Sequence, residues 1–298
     1  MDWFPYVVSF CYGLILGSFF NVCIYRIPKK KSLGERSRCP SCGGLISWYD
    51  NIPLLSFIIL RGKCRRCSSR ISLRYPAVEA TSGILFILIY WWGRNLVPSQ
   101  FNEAAPKIFT PEMVLGLILV SVLVIVTVID IREFIIPNVV IGPGILLSLV
   151  CVLTLSLLRG EPVRLAYALL GGLIGGGFLL LSGLTYGFLF LRRRTEVSKD
   201  IPGEDESGND EMPTGIGFGD VKLTFFTGFV LGYFYWYLVV VQLFLGFLLG
   251  SIVSLFMILF LGKGRKDLVP FGPFLSCGAV IALIWGKQLV DLYLKLLR

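Results

Sequence analysis

The chain of 298 residues contains no histidine, and that absence removes whole mechanisms. A Ser-His-Asp or Cys-His hydrolase is excluded, as are His-ligated zinc proteases and histidine pH switches. Any proton chemistry falls to Asp, Glu, Lys, Tyr, Cys or water. Charge is scarce too. Asp, Glu, Lys and Arg supply only 16% of the residues, against 55% hydrophobic side chains and a mean hydropathy of +0.77. Such a balance excludes an ordinary soluble domain.

What the chain has instead is apolar runs that approach or exceed the length of about 18 residues needed to cross a bilayer. They cover 4–27, 76–92, 111–129, 137–158, 165–191, 220–233, its continuation to 261, and 273–294. The fold class read from them is an all-α polytopic membrane protein with about eight transmembrane helices. Seven spans, with 221–261 miscounted, stays open. The first run has no basic flank before it and no evident small-residue cleavage site, so it reads as a retained helix and not a signal peptide. With eight spans, the basic clusters at 29–31 and along the first loop, at Arg192-Arg193-Arg194, and at Lys263, Arg265 and Lys266 share one side. The positive-inside rule makes that side cytoplasmic and puts both termini outside. It also accounts for the net charge of +9 through topology and anionic lipid, with no nucleic-acid partner.

The first loop, 28–75, holds Cys39, Cys42, Cys64 and Cys67 in the spacing Cys-x2-Cys-x21-Cys-x2-Cys. Each Cys-x-x-Cys turn presents two sulfurs, and four thiolates suit tetrahedral zinc. A cytoplasmic loop disfavours disulfides. Because protein fills all four positions, the expected Zn2+ is structural and folds a loop poor in apolar surface. Within that loop the apolar segment 52–60 is too short to span; it lies along the interface or packs on the bundle. Cys11, Cys23, Cys151 and Cys277 sit in apolar runs as packing residues. The acidic run 196–211 reads as a solvated linker.

Two aspartates stand at the ends of apolar runs: Asp130, ahead of Ile136-Pro137-Asn138, and Asp220 in Gly217-Phe218-Gly219-Asp220-Val221-Lys222. Carboxylates at membrane depth are rare and face a protein interior, a water-filled cavity or a partner. Either alone is as readily a helix cap or salt-bridge partner. Together they fall on the same side at similar depth, and two neighbouring carboxyl groups share one proton. That pair can perform aspartic protease chemistry without histidine, metal or covalent nucleophile. Gly217 and Gly219 leave room for backbone or substrate, and Lys222 reads equally as a snorkelling residue or as support for the site. Gly171-Gly172 and Gly175-Gly176-Gly177 read as a close helix-packing seam. Two rival readings use the same carboxylates: a cation-coupled transporter, and a secretion-apparatus scaffold built on the cysteine loop.

The ordered set Gly17-Ser18-Phe19-Phe20-Asn21, Arg38-Cys39-Pro40-Ser41-Cys42, Trp48-Tyr49-Asp50-Asn51-Ile52-Pro53, Arg61-Gly62-Lys63-Cys64 with Cys67, Arg74-Tyr75-Pro76 with Glu79, Asp130, Gly217-Phe218-Gly219-Asp220 and Pro270-Phe271-Gly272-Pro273 resembles the bacterial type IV prepilin peptidases, which are GxGD aspartyl proteases. The resemblance implies that Asp130 and Asp220 are the catalytic pair. It implies cleavage of the basic leader of prepilins and pseudopilins on the cytoplasmic face of the inner membrane, between a glycine and a Phe-type first residue. It also implies methylation of the new N-terminus from S-adenosyl-L-methionine, carried by residues 1–93 with the cysteine loop, Gly62 and Lys63 being the candidates for that step. Residues 111–298 then form the six-helix peptidase part, with an acidic cytoplasmic loop at 192–219. Ile216 stands where the family usually has Met, and the acidic insertion before Gly217 is longer than usual. The oligomeric state is not legible.

Overall fold

The computed structural model describes residues 3–95, 110–188, 217–261 and 269–297. The acidic run 196–211 and the basic cluster at 192–194 lie outside the described residues. Every long element is helical: α1 Phe4–Arg26, then after the short α2 Leu55–Ile59, α3 Arg74–Asn95, α4 Pro111–Glu133, α5 Asn138–Arg159, α6 Val163–Tyr186, α7 Phe218–Phe234, α8 Tyr237–Leu261 and α9 Gly272–Leu296. Among the described residues, α1, α4, α5, α6, α8 and α9 are long and apolar enough to cross a membrane. The reading of 111–129 and 130–137 as helix and then loop needs correction. α4 continues to Glu133, where Phe134 at φ 53 stops it, so Asp130 lies on the last helical turn.

α4 is the axle of the bundle. Of its apolar window 61% is buried, against 17% for α8, which therefore turns most of its surface to lipid. Leu115, Leu119, Val120 and Val126 of α4 are fully enclosed, together with Leu223, Phe226 and Val230 of α7 and Leu275 and Ala279 of α9. Between apolar helices in lipid there is no hydrophobic drive to associate, so close packing through small residues must supply the attraction. The glycine seam expected in the 171–177 stretch does this. A β-carbon on Gly171 would fall 2.8 Å from the Gly232 Cα and would overlap the Gly228 carbonyl; one on Gly175 would fall 2.6 Å from the Thr224 carbonyl oxygen. α6 and α7 are thus locked backbone to backbone. In the N-terminal part, α1 and α3 meet the same way at Gly13 and Gly83.

The first loop is tied to the bundle by buried polar groups. The Arg26 guanidinium donates to the carbonyls of Ser32, Leu33 and Arg36, and the Asn21 amide to that of Tyr75. At the opposite end of the bundle, Glu112 of α4 and Arg159 of α5 form a buried ion pair. Of the aromatic cluster at 233–237, Tyr233 is enclosed in the core, whereas Tyr235 and Trp236 are exposed.

Candidate active site

Four helix ends converge on one spot: the last turn of α4 and the first turns of α5, α7 and α9. The Asp130 carboxylate, buried at the end of α4, accepts a 3.0 Å hydrogen bond through Oδ2 from the backbone N–H of Gly272, which opens α9. First-turn N–H groups have no partner within their own helix, so this carboxylate caps α9 from outside and meets the positive end of its dipole. A side chain at 272 would not fit, because its β-carbon would fall 2.6 Å from Asp130 Oδ2.

Asp220 is the third residue of α7, and its N–H bonds back to the Gly217 carbonyl at 3.0 Å. Its carboxylate folds over the helix start, with Oδ2 3.3 Å from where a β-carbon on Gly217 would sit. Gly219 faces Ile136, whose Cβ lies 2.9 Å from the corresponding position; the Ile136 Cδ1 also reaches within 3.5 Å of that position on Gly272. Ile136 is therefore the wedge that spaces α7 from α9. Asp130, on the Gly272 side, and Asp220, next to Gly219, thus stand on helix ends that Ile136 touches on both sides. Lys222 sits on the first turns of α7. Its ammonium donates to Asn138 Oδ1 at 2.8 Å and lies 4.6 Å from the Phe218 ring centre, fastening α7 to the start of α5.

The four loop cysteines form a second centre. Their sulfurs all lie within 4.8 Å of one another, a compact set able to hold a metal ion. Two equivalent turns build it. Cys39 N–H bonds to the Gly44 carbonyl and Gly43 N–H to that of Cys39; Cys64 and Ser69 repeat the first bond, Ser68 and Cys64 the second. Gly43 at φ 66 and Ser68 at φ 56 take the left-handed turn after the second cysteine of each pair. The backbone N–H of Cys42, followed by that of Ser41, pulls the Cys39 thiol down to about 6, favouring the thiolate that a metal needs.

Residues 11–92 match the family model for the bacterial peptidase A24 N-terminal domain, and residues 117–260 match that of the type IV leader peptidase family. A prepilin leader peptidase/N-methyltransferase of Aeromonas salmonicida is 30% identical over 99% of this chain and 96% of its own length. Proteins of the same description from Bacillus subtilis and Legionella pneumophila are 29% and 27% identical, over 97% and 98% of this chain. The chain belongs to the type IV leader peptidase family. No solved structure matches it.

Within this family member, sequence reasoning had singled out Asp130, Asp220, Gly217, Gly219 and Lys222, and all lie at the convergence. It did not assign the contact between Asp130 and Gly272, the wedge at Ile136 or the partner of Lys222 at Asn138. The signal was present: Ile136-Pro137-Asn138 and Pro270-Phe271-Gly272-Pro273 each stop or start a helix, but spacing alone does not say which ends meet. Gly62 has φ +67 with the Phe57 ring 3.0 Å from its missing β-carbon, so turn and packing account for glycine there without a ligand.

Proposed function

We propose that this chain is a bifunctional enzyme of the bacterial inner membrane. It removes the basic leader of prepilins and pseudopilins at a Gly-Phe type bond on the cytoplasmic face, then methylates the new N-terminus. The observation that carries the peptidase reading is the convergence of the helix ends that bear Asp130 and Asp220, joined through Gly272 and Ile136, in a chain without histidine. Ionisable residues in transmembrane segments are rare and mark functional sites by default, and here two share one cluster of helix ends. In the reaction, the ionised member takes a proton from water while the protonated member polarises the scissile carbonyl. The resulting intermediate collapses as a proton passes to the leaving amine. The Gly272 N–H fixes the Asp130 carboxyl, and Lys222 with Asn138 holds the first turn of α7 in register. Gly217 supports the site by keeping bulk away from Asp220, and Gly219 by admitting Ile136.

The span count is eight, adding α3 and α7 to the six longest apolar helices. This places the aspartates at the depth where the apolar segment of a prepilin emerges from the lipid. Residues 1–93, with the loop 28–75, form the methylating part, and 111–298 the peptidase part. Cys39, Cys42, Cys64 and Cys67 hold a structural zinc ion. Tetrahedral zinc with Zn–S near 2.3 Å needs sulfurs about 3.8 Å apart, and Cys39 Sγ and Cys67 Sγ are 3.9 Å apart. S-adenosyl-L-methionine supplies the methyl group when bound. The surroundings of Gly62 do not by themselves form a cradle for it, so Gly62 and Lys63 stay candidates by resemblance. The comparisons lend no support to the transporter or scaffold readings.

The test is mass spectrometry of a prepilin co-expressed with the chain. Loss of the leader together with one added methyl group is the expected result. A substrate that keeps its leader refutes the peptidase, and an unmethylated mature product refutes the second activity alone.

A further inference from the structure

The segment between the two cysteine turns carries its polarity inside out. Trp48–Asn51 is a single 3-10 turn, and α2, Leu55–Ile59, follows it. In α2 the buried position is Ser56, whose hydroxyl donates to the Tyr49 carbonyl at 3.0 Å and joins the two pieces. Leu55, Ile58 and Ile59, at i, i+3 and i+4, form one side of the helix, and are 51%, 68% and 64% exposed. Trp48 is 79% exposed. In water, this arrangement costs stability without return.

The position of the segment is fixed. Leu54 takes φ 57, ψ −47 as the centre of a tight turn in which Leu55 N–H bonds to the Pro53 carbonyl at 2.6 Å. Such a backbone is strained and persists only when neighbours hold it. The holder is Glu79 of α3, buried in the bundle, whose Oε2 accepts the Leu54 N–H at 2.9 Å. Glu79 lies beyond the first turn of α3, so α2 is moored beside a helix at the level where that helix enters the bundle. Exposed Arg61, Lys63, Arg66 and Arg70 follow α2 directly.

We propose that residues 48–59 seat on the bilayer itself, with Trp48, Leu55, Ile58 and Ile59 at the acyl boundary and the basic residues on anionic lipid headgroups. Apolar side chains facing lipid, an interfacial Trp and flanking cations are the chemistry of an in-plane membrane contact. The seat holds the cysteine cluster at headgroup level. The inference rests on the bilayer arrangement of the helices and not on either enzymatic activity.

The experiment places full-length protein and its Trp48→Phe variant in nanodiscs of brominated phosphatidylcholine, with and without phosphatidylglycerol. The emission difference between the two proteins isolates Trp48. Quenching of that difference by about half or more is expected, stronger with phosphatidylglycerol, and lost in an Ile58→Asn/Ile59→Asn variant. Replacing Arg61 and Lys63 with Gln is expected to abolish only the phosphatidylglycerol increment. Trp48 emission that ignores brominated lipid overturns the proposal. If it responds instead to an added prepilin leader peptide, the face is a protein dock; if it responds to neither, the face is bare to water.

Discussion

Asp130 and Gly272 are 142 residues apart in the chain, yet the carboxylate of one accepts the backbone N–H of the other at 3.0 Å. The contact joins the last turn of α4 to the first turn of α9. It satisfies a helix-end donor that would otherwise be orphaned in a buried site, where an unpaired N–H costs about 1–3 kcal/mol. It also restricts the rotation of the Asp130 carboxyl group.

Gly272→Ala is expected to push Asp130 aside, since the new methyl would fall 2.6 Å from Oδ2. Cleavage of a purified prepilin should slow by about 10²-fold, the scale of an ångström-sized misplacement in a catalytic site. Membrane insertion and metal content should not change. A variant with wild-type initial rates would show that this hydrogen bond does not aim the carboxyl.

Asp130→Asn and Asp220→Asn are each expected to abolish cleavage, and the double variant should be no worse than either single one, because the two act as a unit. Product quantified after long incubation with folded protein checks this. Turnover by either variant at a tenth of the wild-type rate would break the pairing.

Much of this was legible beforehand, and the limits have physical causes. Apolar run length dictates a transmembrane helix almost regardless of context, so the six long apolar helices among the described residues appear where hydropathy places them. Asp, Arg and Glu end the apolar run at 130–133, but α4 holds its turn until Phe134 adopts a left-handed conformation. Local composition does not register that. Tyr233 is enclosed while its neighbours Tyr235 and Trp236 are exposed, a difference that an aromatic-rich stretch does not reveal by composition. The two Cys-x-x-Cys turns were legible because their geometry is wholly local. The bond between Leu54 and Glu79 was not, because a strained turn and the distant carboxylate that holds it leave no joint pattern in sequence.

Cys67→Ser is expected to lower zinc content from one ion per chain to well below that, and chelation of the wild-type protein should have the same effect on the loop. Metal analysis reads the first result. Limited proteolysis within 36–70 reads the second, with cleavage sites appearing only after metal loss. A loop equally resistant with and without metal would remove its structural role.

Glu112→Gln is expected to destabilise the fold without touching the chemistry. The pair with Arg159 is buried, with side chains 3% and 8% exposed, and breaking a buried ion pair from one side costs about 3–5 kcal/mol. The double variant Glu112→Gln/Arg159→Gln should recover part of the loss. Thermal melts of the four proteins in detergent measure it. The cleavage rate below the melt should stay near wild type, since the pair sits at the far end of α4 from Asp130.

The glycine seam between α6 and α7 restricts traffic. A prepilin reaches the enzyme as a helix already lying in lipid, so it must come in sideways, through a parting between neighbouring helices. Where Gly171 and Gly175 press directly on the backbone of α7, no such parting opens without separating the two helices along their length. With the proposed site at Asp220, the doorway would lie on another of its sides, and a covalent tie between α6 and α7 should leave leader removal undisturbed.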